Sequence, residues 1–245
     1  MNDLATASRR EGAAATAANI AVYADPKRVG GYVTDPYHAT RRRLARQLLE
    51  AELADCPGGP VLEVGSGGQS LVQNLPGDRP TIEADINEEV LPPGGVRLDV
   101  AEPLPFESET LSVVLMAELI EHLFTPSAVL AECHRVLKPG GVIILTTPNL
   151  ATLQDRLRFL LGRSPRQVDC LHPYLQLHIR PFTASSLRRL LDSAGFTTTA
   201  LKSNHVGWEL PSGRWVQSRF LARVVPTLGG SLVIAARRRL KPEAA

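Results

Sequence analysis

The run Val61-Leu62-Glu63-Val64-Gly65-Ser66-Gly67-Gly68-Gln69 is the part of this chain best suited to grip a ligand. A short apolar, β-branched segment carries an acid and then breaks into glycines, which reads as a buried strand feeding a tight turn. Glycines there let the backbone take positive φ and let a ligand press against the main chain. A helix is expected over 69–75, with its first N–H groups facing the same ligand. Asp85 lies 20 residues beyond Gly65, at the end of the next expected strand. A carboxylate there can accept both hydroxyl hydrogens of a ribose. Asp99, ending a third strand, stands where it could accept from the exocyclic amine of a base. A glycine turn, a ribose acid and a base-edge acid along one sheet edge suit a nucleotide-like ligand.

Such residues need a sheet to align them. Strands are expected at Val61–Val64, 81–84, 96–98, 111–116 and 142–146, with two more at 196–202 and 231–236. Helices are expected over 38–54, from the Thr125-Pro126 start to the Lys138-Pro139-Gly140-Gly141 stop, over 149–161, and from a Thr183 cap to Gly195. The stretch 206–230, with Trp208, Trp215 and Phe220, reads as a helix inside a long excursion. Strands alternating with helices predict a parallel α/β sheet covered on both faces. Residues 1–22 read as a flexible tail, and 23–240 as one domain with acceptor-capping segments near 150–182 and 206–228.

Composition narrows the function. The chain has 245 residues, 44% of them hydrophobic, enough for a globular core. No apolar run approaches the ~20 residues that span a bilayer, and no signal-like apolar core opens the chain. Three scattered cysteines, Cys56, Cys133 and Cys170, have no metal-ligand spacing and suit a reducing, cytoplasmic setting. Net charge is +2, but residues 81–140 carry 11 acids against 3 bases, and residues 151–245 carry 15 bases against 5 acids. The acidic part suits a cationic ligand. The basic part reads first as a solvated face, with an anionic substrate or surface as the other possibility. Arg41-Arg42-Arg43 and Arg237-Arg238-Arg239 lack interleaved aromatics, so no nucleic-acid partner is expected.

The ordered set Glu63-Val64-Gly65-Ser66-Gly67, Asp85, Asp99, Leu104-Pro105-Phe106, Glu121-His122 and Arg135-Val136-Leu137-Lys138-Pro139-Gly140-Gly141 resembles the motifs of class I S-adenosylmethionine-dependent methyltransferases. Thr146-Thr147-Pro148-Asn149 and His178-Ile179-Arg180-Pro181-Phe182-Thr183 look like the bacterial small-molecule members. The resemblance runs from about Tyr32 to Arg237. It implies a Rossmann-like seven-stranded sheet, mainly parallel, with the last strand antiparallel. It implies S-adenosyl-L-methionine as cofactor. Gly65, Ser66 and Gly67 would approach its methionine portion, with Glu63 near the ammonium. Asp85 and Ile86 would hold the ribose, and Asp99 and Val100 the adenine. Ala117 and Glu118 would wall the sulfonium pocket. The chain departs from the family in Gln69 for the third glycine, Ser112 for an acid, and Pro92-Pro93-Gly94-Gly95 for a regular helix.

The competing reading is a nicotinamide-dependent oxidoreductase, whose turn would carry a glycine where Ser70 stands; Glu63 also suits an ammonium better than a pyrophosphate. A non-catalytic S-adenosylmethionine-binding subunit acting on a partner is a further alternative. If the acceptor is a hydroxyl, a histidine near neutral pH can take its proton. His178 is the first candidate, then His122, with His172 also considered; each could instead be structural. His38 and Tyr32 are expected to pack near the cofactor, His134 to face away, and His205 to lie in a loop. No metal is expected. The reaction expected is methyl transfer to a small-molecule acceptor, an O-methylation in secondary metabolism or sugar/quinone-type biosynthesis. Phe159, Trp208, Trp215 and Phe220 could cap that acceptor or simply pack, and shallow membrane contact near 215–228, without stable insertion, is a third possibility. The sequence leaves the oligomeric state open.

Overall fold

The structure, a computed structural model, describes residues 36–169, 171, 178–210, 212 and 214–240. The expected N-terminal tail, Tyr32, His172 and Cys170 lie outside the described residues.

Along the chain run α1 (Pro36–Leu53), β1 (Val61–Val64), β2 (Thr81–Asp85), β3 (Val96–Arg97), β4 (Leu111–Ala117), α2 (Pro126–Val136), β5 (Leu137–Pro148), α3 (Leu153–Leu160), α4 (Ala184–Ser193), β6 (Phe196–Ser203), β7 (Val206–Glu209), β8 (Trp215–Ser218), α5 (Arg219–Val224) and β9 (Ser231–Arg238). Seven strands form one sheet in the order β3-β2-β1-β4-β5-β9-β6. All neighbours are parallel except β9, which lies antiparallel between β5 and β6. The expected mainly parallel sheet with an antiparallel last strand is the sheet observed.

Strand alternation sorts side chains between two cores. In β4, Val114 and Met116 face α2 and α4 through Val129, Leu130, Cys133, Leu187 and Leu191. Val113 and Leu115 face α1 through Ala45, Leu48 and Leu49. With helices on both faces, only the strand ends remain open to a ligand. Strand order reverses beside β1, where chain segments leave in opposite directions and a crevice opens beyond the carboxyl ends.

Three sequence expectations fail locally. No helix covers 69–75; the segment is a series of turns. The turns find partners elsewhere: the Arg46 guanidinium donates to the carbonyls of Leu71 (3.0 Å), Gln73 (2.6 Å) and Asn74 (2.8 Å), and Leu71 N–H donates to Glu63 Oε2 (2.8 Å). Asn74 also sits at φ +53°. The stretch 206–230 holds a hairpin, β7 paired antiparallel with β8, before the short α5. Gly207 permits it, since a Cβ there would stand 2.5 Å from the Trp215 ring. Finally, α3 begins at Leu153 rather than 149. Asn149 is spent on holding the turn before β9, its amide donating to the carbonyls of Thr227 (3.0 Å) and Gly229 (2.8 Å), and Thr152 takes the cap. The apolar residues of this region do not pack as a buried lid: Phe159 is 71% and Phe220 74% exposed. Among the described residues no helix is long and apolar enough to cross a membrane.

Candidate functional site

Beyond β1 the chain turns through Gly65 (φ +74°), Gly67 (+55°) and Gly68 (+74°), left-handed conformations that strain any side chain. Space is also short: a Cβ on Gly65 would meet Leu119 at 3.2 Å, and one on Gly68 the Val90 carbonyl at 3.3 Å. The end of β2 clamps this turn. Gly67 N–H donates to Asp85 Oδ2 (3.0 Å) and Asn87 N–H to Oδ1 (2.9 Å). Each carboxylate oxygen keeps a second lone pair for an outside donor. Past β3, Asp99 Oδ1 accepts from Ala101 N–H (2.9 Å), leaving the other oxygen to the cleft.

Glu63, 1% exposed, accepts from the Ser70 hydroxyl (3.1 Å) and Leu71 N–H (2.8 Å) at Oε2. Burial outweighs these donors and pushes its carboxyl up to about 7. Ser66 Oγ is buried with no hydrogen-bond partner among the described residues. A lining hydroxyl left unsatisfied is what a polar ligand would complete.

The end of β4 supplies the opposite wall. Glu118 sits at φ +56°, a strained conformation for a side-chain-bearing residue. It is fixed on three sides: its N–H donates to the Thr146 carbonyl (2.9 Å), Thr146 Oγ1 donates to Oε1 (2.8 Å), and Arg41 Nη1 pairs with Oε2 (2.7 Å). Arg41 also donates to His38 Nδ1 (2.9 Å), so His38 supports the site through this arginine.

Glu63, Gly65, Ser66, Gly67, Asp85, Ile86, Asp99, Val100, Ala117 and Glu118 all line one cleft, together with Arg41, Gln69 and His122. Gln69 borders the cleft. Of the two candidate bases, only His122 reaches the wall. His178 stands behind it, ring edge to face with 5.0 Å between centroids. His134 packs against Phe196, and His205 is buried and accepts from Arg219 Nε (3.1 Å). Neither lines the cleft.

Sequence reasoning missed Arg41 and Glu121. Arg41 falls on the apolar stripe of α1, four and seven residues before Ala45 and Leu48 along the helix, and an arginine inside such a stripe is a signal of a buried partner. Glu121 gave no signal beyond its place before His122. Burial first, and the Glu118 charge second, push its carboxyl well above the usual range.

Arg41→Met should lower stability by about 2 kcal/mol, because Glu118 would keep a half-buried charge at a strained φ with no counter-charge. Thermal denaturation reads this directly. A melting temperature equal to wild type would show that the pair contributes nothing to the fold.

A family model described as a methyltransferase domain matches residues 37–201. A Mycolicibacterium smegmatis protein named "Probable S-adenosylmethionine-dependent methyltransferase" is 30% identical over 178 residues, covering 69% of this chain and 62% of that protein. A ubiquinone biosynthesis O-methyltransferase of Pseudomonas syringae is 32% identical over 117 residues, covering 40% of this chain and 48% of that protein. The chain thus spans less than two thirds of the length of these curated relatives. Among solved structures, the 1,6-didemethyltoxoflavin-N1-methyltransferase of Burkholderia thailandensis, with 1,6-didemethyltoxoflavin and S-adenosylhomocysteine bound, superposes with a TM-score of 0.61 at 20% identity, covering 94% of this chain and 90% of that one. At that identity the likeness speaks for the fold. With the glycine turn, the strand-end acids and the match over most of its length, the chain belongs to the methyltransferase-domain family, on the class I S-adenosylmethionine-dependent methyltransferase fold.

Proposed function

We propose that the cleft binds S-adenosylmethionine and that the chain directs its methyl group onto a hydroxyl of a small-molecule acceptor. The observation that carries this is the glycine turn clamped by Asp85, with Glu63, Asp99 and the unsatisfied Ser66 hydroxyl facing the same cleft. The donor supplies a methyl already activated on a sulfonium. In this reading Glu63 pairs with its ammonium and Asp85 accepts from the ribose hydroxyls. Asp99 and Val100 hold the adenine, and Ala117 and Glu118 bound the reacting end. The protein's task is then alignment and exclusion of water, and positioning alone can supply ~7–11 kcal/mol. Where no metal intervenes, His122 takes the acceptor's proton at its ring nitrogen and His178 positions that ring.

The ubiquinone O-methyltransferase relative supports oxygen as the acceptor atom and a hydroxylated ring as its carrier. The free, buried thiols of Cys56 and Cys133 suit action in a reducing cytoplasm. A dinucleotide is disfavoured by the missing helix at 69–75, whose N-terminus a pyrophosphate would need. The test uses donor labelled in the methyl group with a panel of phenols, catechols and sugars. The expected result is label on oxygen and a product heavier by one CH2. Tight donor binding with no product across such a panel and a lysate metabolite pool would favour a non-catalytic binding subunit instead.

A further inference from the structure

Just past β4, the turn Ile120–His122 brings together side chains that the sequence separates. Glu121, His122 and His178 each offer one ligand atom, and the three atoms lie within 4.8 Å of one another. Glu121 Oε1 is 3.9 Å from His122 Nε2. The arrangement is held by backbone. His122 N–H donates to the Leu119 carbonyl (3.0 Å), and Arg180 N–H donates to the Glu121 carbonyl (2.9 Å), tying the His178 segment to the turn.

Glu121 is 1% exposed, and neither carboxylate oxygen has a hydrogen-bond partner among the described residues. The Thr147 hydroxyl draws this carboxyl down without reaching hydrogen-bond geometry, and burial with the Glu118 charge outweighs it. A buried carboxyl without a partner of hydrogen-bond geometry stays protonated until a cation meets it, and a bound cation would displace that proton. The available guanidinium, Arg41, is already paired with Glu118 at 2.7 Å. Gln167 Oε1 lies 3.1 Å from His178 Nδ1. With that oxygen accepting, the ring proton sits on Nδ1 and Nε2 carries the lone pair, the outer-shell arrangement usual for a metal-ligating histidine.

We propose that Glu121, His122 and His178 bind one divalent transition-metal ion, Zn²⁺ by ligand chemistry, whose open position takes an oxygen of the acceptor. Two imidazoles and one carboxylate make a zinc set of the kind that leaves a fourth position for substrate. Zinc bonds of about 2.0–2.1 Å put tetrahedral ligand atoms about 3.3 Å apart, so the group must contract by about 0.6 Å between Glu121 and His122 and by no more than about 1.5 Å elsewhere. His122 lines the cleft, so the open position faces the acceptor end. The acceptor class is then a molecule offering a hydroxyl, or two adjacent hydroxyls, as oxygen ligands. The ion's service to the acceptor rests on the methyltransferase reading above; the ion site itself does not. With an ion bound, His122 would be a ligand and not the base: the ion would lower the pKa of the bound hydroxyl so that its proton leaves to solvent, and the oxygen would take the methyl as the S–CH3 bond of the donor breaks.

The full chain, stripped by a chelator, would be titrated with Zn²⁺ by calorimetry and with Co²⁺ by visible absorption. S-adenosylhomocysteine binding would run alongside as a control for folding. The expected result is one ion per chain with the intense ligand-field bands of four-coordinate Co²⁺. His178→Ala and Glu121→Gln should abolish those bands. Gln167→Ala should weaken the ion about 10–100-fold. S-adenosylhomocysteine should bind all three variants as it binds wild type. Absence of metal uptake by wild-type protein, or uptake unchanged in both ligand variants, would overturn the site. Metal uptake together with no S-adenosylhomocysteine binding would instead remove the methyltransferase reading and leave the ion site standing.

Discussion

Asp85→Ala should raise the dissociation constant for S-adenosylmethionine by about 10²–10³-fold. Two hydroxyl donors meeting one carboxylate are charge-assisted bonds, each contributing about 1.5–3 kcal/mol. Losing both, with partial replacement by water, leaves about 3–4 kcal/mol, which is that range in affinity. The same carboxylate holds the Gly67 and Asn87 N–H groups, so its removal also loosens the turn that carries the methionine end. Asp85→Asn separates the two effects. Its remaining carbonyl can still take one N–H and one hydroxyl, and it should cost about tenfold. Calorimetry on both variants, with thermal denaturation to confirm folding, is the measurement. Affinity unchanged in Asp85→Ala would mean that no ribose lies at the end of β2.

What the sequence revealed, and what it hid, follows the range of the forces involved. The buried strands were legible because Val61–Val64 and Leu111–Ala117 are apolar apart from Glu63 and Ser112, and only a covered sheet makes use of that. The strand-end residues were legible for a related reason: a strand's end fixes where its next residue stands, so Gly65, Asp85 and Asp99 could be aligned without knowing any side-chain contact. In place of the helix expected at 69–75 stand turns whose backbone is bonded to distant side chains, the carbonyls to Arg46, more than twenty residues earlier in the chain, and Leu71 N–H to Glu63. No local pattern encodes such partners. The hairpin β7–β8 was more readable than the helix expected in its place. Two short runs with alternating apolar residues, Val206–Glu209 and Trp215–Ser218, flank a proline- and glycine-containing link, a hairpin signature overlooked because the aromatic residues suggested a helical face. Arg41 could have been found from its place in the α1 stripe. Glu121 could not, since its isolation arises only when the turn after β4 folds it away from water.

A large stability effect with pH should come from Glu63. Its carboxyl is near 4.5 unfolded and about 7 folded, because burial outweighs the Ser70 and Leu71 donors; Glu83 adds to the rise and Arg42 opposes it. Over that window the folded chain binds more protons than the unfolded chain, so stability falls as pH rises from about 4.5 to 7 and then levels off. Integrated, the loss is about 3 kcal/mol of ligand-free stability. A ligand ammonium placed beside Glu63 reverses the sign. It favours the ionised carboxylate, so donor affinity should rise as pH climbs from about 6 to 7.5, with proton release on binding. Glu63→Gln keeps an acceptor for Leu71 N–H but carries no charge. It should flatten the stability profile across the window, raise ligand-free stability near pH 8, and remove this group's part of the pH dependence of binding. Urea melts of the ligand-free protein and calorimetry in buffers of different ionisation enthalpy read the two halves separately. Parallel profiles for wild type and Glu63→Gln in the first would show that Glu63 ionises as readily folded as unfolded. Parallel profiles in the second would move the ammonium elsewhere, and the glycine turn would then have to grip the ligand without a carboxylate beneath it.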